Sequence, residues 1–180
     1  KASEFIIDFK EYTLLLINTH ITHHLAESAY NDRRFVCEKI AKLLHIKALR
    51  DANEADLLKI QDQISTEDYQ KALYIIQENQ RVLEASKALK NNKLTDFGKL
   101  LYSSHSGLQH QYDVSCAELD FLVDFTRELP EVLGARMMGG GFGGCTLNLI
   151  KKEEVDPFIE KASVAYFQKF GINISTYQLK

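Results

Sequence analysis

The segment GGGFGG at residues 139–144 is the part of the sequence whose composition points most directly to chemistry. Five of its six residues are glycine, so the main chain is free of side chains and can approach another group closely. Backbone N–H groups in such a segment can bind an anion such as a phosphate. The competing interpretation is a tight β-hairpin, in which glycine supplies the backbone conformations of the turn. A two-residue hairpin needs one or two glycines, so turning alone explains only part of the segment.

The residues around this segment argue against two common nucleotide-binding motifs. The letters satisfy the pattern G-x-G-x-x-G of dinucleotide-binding proteins, but that pattern must open a helix. Here the glycines precede CTLNLI (145–150), which has the composition of a β-strand. A Walker A phosphate loop is excluded, because the sequence contains no Gly-Lys-Ser/Thr. Arg136 is a candidate phosphate partner, although an arginine on a strand edge more commonly forms a structural salt bridge.

The histidines and cysteines indicate no comparable site. Three imidazoles fall within five residues (His20, His23 and His24). No cysteine, aspartate or fourth histidine accompanies them at ligand spacing, so a solvated loop is favoured over a metal site. His105 and His110 are five residues apart on a predicted helix and are interpreted as structural. The cysteines are widely spaced and lack a C-x-x-C pair, which is typical of reduced thiols in a cytosolic protein (Cys37, Cys116 and Cys145).

Composition restricts the classes of partner. The net charge of −3 gives no basic field that would point to nucleic acid. No apolar stretch reaches the roughly 18 residues that a membrane span needs. The chain begins at Lys1, without an initiator methionine and within an apolar pattern, so we expect it to be cut from a longer protein. These features predict a cytoplasmic protein without nucleic-acid or membrane partners.

Hydrophobic periodicity predicts which elements position the glycine segment. Four β-rich runs and a set of amphipathic helices alternate along the chain. The predicted strands are 12–19, 132–137, 145–150 and 174–178, and the predicted helices are about 27–46, 66–90, 93–111, 115–129 and 154–170. Ser115 and Glu118 have the spacing of a capping box that opens the fourth helix, and Pro130 closes it. The pattern predicts a single domain over residues 1–180, an α+β fold with all four strands in one antiparallel sheet.

Three blocks of sequence also resemble one family. GARMMGGGFGGCT (134–146) is similar to the C-terminal glycine motif of the galactokinases, which belong to the GHMP small-molecule kinases. INTHITHHLAESAYNDRRFVCE (17–38) and SHSGLQHQYDVSCAELDFLV (104–123) resemble two further segments of the same enzymes, in the same order. The resemblance implies the C-terminal domain of a GHMP kinase, an α+β fold with a ferredoxin-like antiparallel sheet and additional helices.

The resemblance assigns roles to residues of these blocks. Tyr30 matches the tyrosine that hydrogen-bonds the sugar, and its alternative is a tyrosine that packs on the core. The glycines are expected to line the cleft beside the sugar and the terminal phosphate (Gly139, Gly140, Gly141, Gly143 and Gly144). Phe142 is expected to anchor this loop. Met138 departs from the family, which usually has threonine at this position.

The family's activity is the transfer of the γ-phosphoryl group of Mg-ATP to the anomeric hydroxyl of α-D-galactose. Its sugar-recognition motif, serine-rich phosphate loop and catalytic aspartate precede the strand at Tyr12 and have no counterpart here. The resemblance therefore implies that this chain holds no catalytic residue and no metal site, packs on a missing N-terminal domain, and is inactive alone. The alternative is a non-catalytic galactokinase-like regulator that senses sugar or ATP and acts through protein partners.

An exposed apolar face is a further expectation. Removal of an N-terminal half should uncover its contact surface, and large apolar patches recruit partners. The expected members are Met137, Met138 and Phe142 of the glycine loop, together with Phe5, Ile6 and Phe9. The isolated chain is therefore predicted to self-associate or to cover this face with its own first ten residues.

Overall fold

The computed structural model describes residues 7–22 and 26–178, and in them it contains four β-strands and six α-helices. The strands are β1 (Tyr12–Thr22), β2 (Val132–Met138), β3 (Gly143–Lys151) and β4 (Ser175–Gln178). The helices are α1 (Ala26–Leu43), α2 (Glu54–Leu58), α3 (Thr66–Lys90), α4 (Leu94–His110), α5 (Ala117–Arg127) and α6 (Val155–Phe170). None of these helices combines the length and the apolar character needed to cross a membrane.

The four strands form one antiparallel sheet in the order β2-β3-β1-β4. In the centre of the sheet Leu147 pairs with Leu16 on one side and with Arg136 on the other. This order, with helices between β1 and β2 and between β3 and β4, is the ferredoxin-like arrangement. The predicted α+β fold is confirmed, and so is the prediction that all four strands belong to one antiparallel sheet.

The buried face of the sheet packs against α5 and α6. Side chains of β1 alternate between buried and half-buried positions, as expected for a strand with one covered face. Leu15 and Ile17 are fully buried and belong to one apolar cluster with Leu122 of α5 and with Phe158 and Tyr166 of α6. This cluster fixes the central strands, from which the glycine segment extends.

A pair of glycines brings α4 onto β2. A Cβ atom built at Gly134 in β2 would lie 2.1 Å from the carbonyl oxygen of Gly98 in α4. A Cβ atom at Gly98 would lie equally close, at 2.1 Å, to the carbonyl oxygen of Leu133. The helix and the strand therefore touch through their main chains, which only glycine permits. Gly134 also lies at an irregularity in the pairing of β2 with β3.

The end of α1 and both ends of α5 differ from the sequence expectation. The first helix ends at Leu43, three residues before the predicted end. The predicted capping box of Ser115 and Glu118 is wrong, because α5 begins one residue later, at Ala117, with Cys116 as its uncapped N-terminal neighbour. The hydroxyl of Ser115 donates instead to the carboxylate of Asp120. By contrast, the side chain of Ser65 caps the start of α3, because its hydroxyl oxygen accepts from the backbone N–H of Asp68.

Candidate functional site

The glycine segment forms the connection between β2 and β3, not the start of a helix. Its main chain is in the left-handed region at Gly139, Gly141, Phe142, Gly143 and Gly144, with φ between 59° and 119°. The hairpin interpretation is therefore correct for the backbone path. The dinucleotide-binding interpretation is excluded, because no helix follows the glycines.

The reasons for glycine differ along the loop. Cβ atoms at Gly141 and Gly143 would lie 2.1 Å from the carbonyl oxygens of Val114 and Ile21, so close packing requires glycine there. Gly139 and Gly144 face open space but have positive φ, which disfavours other residues. Gly140 has neither constraint, since nothing lies within 4 Å of its Cβ position. The fold therefore does not account for the glycine at position 140.

The strand that leads into the loop is held by side chains at Met137. Its backbone N–H donates to Nδ1 of His105 at 3.2 Å, and its carbonyl accepts from Nε of Arg136 at 2.8 Å. Nη1 of Arg136 also donates to Oε1 of Glu78 at 3.1 Å. Arg136 thus forms the structural salt bridge that the sequence left open as the commoner alternative to a phosphate contact.

Phe142 anchors the tip of the loop, as the resemblance implied. Its backbone N–H donates to the carbonyl of Val114 at 2.8 Å. Its half-buried ring lies in an apolar cluster with Val114 and Leu119. The guanidinium of Arg33 lies 5.9 Å from the centre of this ring, within the range of a cation–π contact.

The far end of the loop is tied to β1 and α6. The hydroxyl of Thr19 donates to the carbonyl of Gly144 at 2.8 Å. The carbonyl of Thr19 accepts from the hydroxyl of Tyr166 at 3.0 Å. Burial raises the pKa of Tyr166 to about 12, so its hydroxyl stays protonated and able to donate. Both ends and the tip of the loop are therefore attached to the rest of the domain.

Tyr30 projects into solvent from α1. Its side chain is 68% exposed, which does not fit the alternative of a tyrosine packed on the core. One turn along the helix, the side chain of Arg33 is only 10% exposed. Arg33 donates to the carbonyls of Tyr112 and Asp113 at 3.1 and 2.6 Å, beside its contact with Phe142. It connects the helix that carries Tyr30 to the glycine loop.

Arg33 lies within the block at residues 17–38 that resembles the family, but the sequence analysis assigned it no role. The signal that could have revealed a role for Arg33 is its position, where the helical periodicity predicts an apolar residue. A buried guanidinium needs several hydrogen-bond acceptors, so an arginine there indicates a polar contact with another part of the chain. Those acceptors lie about 80 residues away along the chain. The sequence pattern alone could not identify them.

The remaining titratable groups indicate neither a metal site nor a nucleophile. In residues 7–22 and 26–178, no three histidine, cysteine or acidic side chains are grouped as metal ligands. His20 is exposed, while His23 and His24 lie outside the described residues. Burial raises the pKa of all three cysteine thiols, that of Cys116 to about 11, so a reactive thiolate is disfavoured. His105 is fully buried and makes structural contacts.

The expected apolar face is only partly present. Met138 is half exposed and Phe142 half buried, but Met137 is completely buried, so its predicted place on this face is wrong. Phe9 packs near Leu94 and Leu149, beside the end of β1 that lies opposite the glycine loop. Phe9 and Met138 therefore do not lie on the same face of the domain. The other two expected members, Phe5 and Ile6, lie outside the described residues. Self-association of the isolated chain stays a prediction.

Comparison with known proteins gives consistent matches over this architecture. Residues 85–168 match the family model of the C-terminal region of the GHMP kinases. A galactokinase of Thermotoga maritima is 37% identical over 169 residues, and one of Clostridium beijerinckii is 40% identical over 182 residues. These alignments cover 94% and 98% of this chain but 47% of each relative. The chain thus spans about half the length of the curated relatives it matches.

Solved structures give the same result. The crystal structure of Lactococcus lactis galactokinase complexed with galactose is similar with a TM-score of 0.89 and 31% identity, over 96% of this chain and 46% of that one. The mevalonate kinase of L. major, solved with R-mevalonate, shares the fold with a TM-score of 0.58 and 21% identity. The fold is therefore shared with a galactokinase and with a mevalonate kinase, whereas the sequence identity is higher to the galactokinase.

Proposed function

We propose that the chain is the C-terminal half of a galactokinase, because residues 85–168 match the C-terminal region of the GHMP kinases and galactokinases of known sequence and structure align with most of the chain. In this proposal the whole enzyme transfers the γ-phosphoryl group of ATP to the anomeric hydroxyl of α-D-galactose and releases galactose 1-phosphate and ADP. The supporting observation is the extent of the match: relatives named galactokinase align with 94–98% of the chain at 37–40% identity. The reduced cysteines support a cytoplasmic enzyme.

The chemistry divides between the two halves of the proposed enzyme. The galactose oxygen attacks the γ-phosphorus, the bond from that phosphorus to the ADP oxygen breaks, and the hydroxyl proton passes to a base. By the resemblance, that base is an aspartate of the N-terminal half, which also holds the main ATP loop. By the same resemblance, the contacts to Mg²⁺ also belong to the other half.

This chain contributes binding and positioning. The exposed phenol of Tyr30 can donate to a sugar hydroxyl, since nothing buries it within the domain. The open side of the loop at Gly140 allows the main chain to approach the sugar or the terminal phosphate. The three attachments of the loop keep that main chain in place, which suits a reaction that depends on positioning.

The direct test is turnover by the full-length protein. We expect ADP release from Mg-ATP that depends on galactose and yields galactose 1-phosphate. Binding of galactose without turnover would instead support the regulator alternative. Turnover with mevalonate and none with galactose would contradict the proposed substrate.

Replacement of Tyr30 by phenylalanine is expected to weaken galactose binding by about 0.5–1.5 kcal/mol, the usual contribution of one net hydrogen bond. Stability should not change, because the side chain is largely exposed. Titration calorimetry on the full-length protein measures the affinity. Tyr177→Phe is the matched control, since Tyr177 is another exposed tyrosine and lies on the edge strand β4. Unchanged affinity, KM and kcat in Tyr30→Phe would remove the sugar contact from the proposal.

Replacement of Gly140 by alanine is expected to leave the free energy of unfolding within about 0.5 kcal/mol of the wild-type value, because the added methyl group meets nothing. Turnover of the full-length protein should fall by about 10- to 100-fold, since the methyl group displaces a substrate held against the main chain. Urea denaturation and steady-state kinetics measure the two effects. Wild-type turnover in this variant would show that no ligand approaches the main chain at position 140.

A further inference from the structure

The block at residues 104–123 supplies two attachments of the glycine loop, through His105 and Val114, and three of its polar side chains converge behind them. The carboxylate of Asp120 in α5 lies between His105 of α4 and Ser115 of the preceding segment. Its Oδ1 atom is 3.3 Å from Nε2 of His105 and accepts a hydrogen bond from the hydroxyl of Ser115. The imidazole is fully buried, and the aspartate side chain is 22% exposed.

The proton positions on these groups follow from their partners. Nδ1 of His105 accepts from the backbone N–H of Met137, so the ring proton is on Nε2 and faces Asp120. Burial raises the pKa of Asp120, but the neighbouring side chains of His105, Ser115 and Gln109 outweigh burial and lower that pKa overall. The carboxylate is therefore ionised. Its Oδ1 atom accepts from the hydroxyl of Ser115 and makes a close electrostatic contact, at 3.3 Å, with Nε2 of His105, which has no hydrogen-bond partner among the described residues.

Each neighbour of Asp120 leads directly to one attachment of the glycine loop. His105 holds the backbone N–H of Met137, two residues before Gly139. Ser115 follows Val114, whose carbonyl accepts the backbone N–H of Phe142 and lies against Gly141. One carboxylate thus connects the strand that enters the loop with the segment that holds its tip.

We propose that Asp120 is a positioning residue for the glycine loop, and that the block at residues 104–123 is the support on which the loop is held in its substrate-binding conformation. The effect on substrates rests on the galactokinase function proposed above, whereas the effect on the loop does not. Asp120 touches neither the loop nor a substrate, and acts through His105 and Ser115.

The test compares three substitutions in the full-length protein. Asp120→Ala removes the shared carboxylate. Asp120→Asn keeps an oxygen atom that can accept from Ser115 and contact His105. Asp124→Ala is the matched control, because it removes an exposed carboxylate from the same helix whose partner is Arg127. Hydrogen–deuterium exchange of the peptide 136–144 reports the backbone N–H groups of Met137 and Phe142, and the peptide 82–90 in α3 serves as reference.

We expect hydrogen–deuterium exchange in 136–144 to be about tenfold faster in Asp120→Ala than in the wild type. The reason is that the attachments at Met137 and Phe142 are weakened, so the loop opens more readily. Exchange in 82–90 should be unchanged. Asp120→Asn should restore most of the protection, and Asp124→Ala should match the wild type. Steady-state kinetics with galactose should follow the same ranking of the three variants. A purely general loss of stability would speed exchange in both peptides, and would overturn the proposal.

A milder variant covers the case in which Asp120→Ala does not fold. Ser115→Ala removes only the branch toward the loop tip, and is expected to speed exchange in 136–144 by about threefold. Wild-type exchange in 136–144 for either alanine variant would overturn the proposal, whatever the turnover. If exchange changes as expected but the full-length protein does not phosphorylate galactose, the proposed function fails and the positioning role stands.

Discussion

Replacement of Gly134 by alanine is expected to lower the free energy of unfolding of the 180-residue chain by about 4 kcal/mol, at the upper end of single-substitution effects. The added Cβ atom would lie 2.1 Å from the carbonyl oxygen of Gly98 and 2.5 Å from its carbonyl carbon and Cα. Its position is set by the main chain, so no rotamer change relieves the clash. Relief requires α4 to move away from β2, which separates buried Leu101 from Leu149 and the neighbouring Leu133.

Urea denaturation with linear extrapolation measures this loss. Gly140→Ala is the matched control, because it adds the same methyl group where nothing lies within 4 Å. Gly98→Ala should resemble Gly134→Ala, since its Cβ atom meets the carbonyl of Leu133 at the same distance. A loss below about 1 kcal/mol for Gly134→Ala would mean that the two main chains are not in contact.

The isolated 180-residue chain is expected to turn over ATP with galactose at least about 10⁴-fold more slowly than the full-length protein. The reason is that the groups which stabilise charge during phosphoryl transfer contribute factors of this size, and the proposal places them in the other half. A coupled assay for ADP release measures both proteins, with samples lacking galactose as the background. Addition of the separately produced N-terminal half should restore part of the activity.

Turnover by the isolated chain near the rate of the full-length protein would contradict the proposed division of the chemistry. Absence of turnover in the full-length protein as well, together with galactose binding, would favour the sugar-sensing regulator. The prediction therefore separates the two functions that the sequence left open.

Secondary structure and sheet membership could be predicted from the sequence because they follow from local patterns. A continuous β-rich apolar run identified β1, and Gly171 marks the end of α6 with φ of 69°, as a helix-terminating glycine does. Membership of all four strands in one sheet followed from the four β-like runs, and the ferredoxin-like fold followed from the family resemblance. The start of α5 was missed because Ser115 donates to Asp120, a side-chain contact that competes with helix capping.

The candidate site was predictable in composition but not in geometry. Composition identified the glycines and the family resemblance identified Tyr30, but no local rule could distinguish Gly140 from Gly141. That distinction depends on whether Val114 lies beside the Cβ position, which is a tertiary contact. The roles of Arg33 and His105 depend on acceptors and donors 79, 80 and 32 residues away in the chain, beyond the reach of periodicity.

The contacts at Met137 also bear on how the protein avoids aggregation. β2 is an edge strand, and unpaired N–H and C=O groups on such an edge can recruit a strand from another molecule. At Met137 both groups are already bonded to side chains, those of His105 and Arg136, and α4 packs along the same strand. The opposite edge, β4, is only four residues long. The sheet therefore offers a short template for intermolecular strand addition, so the domain can leave the glycine loop open without exposing a long strand edge to its own copies.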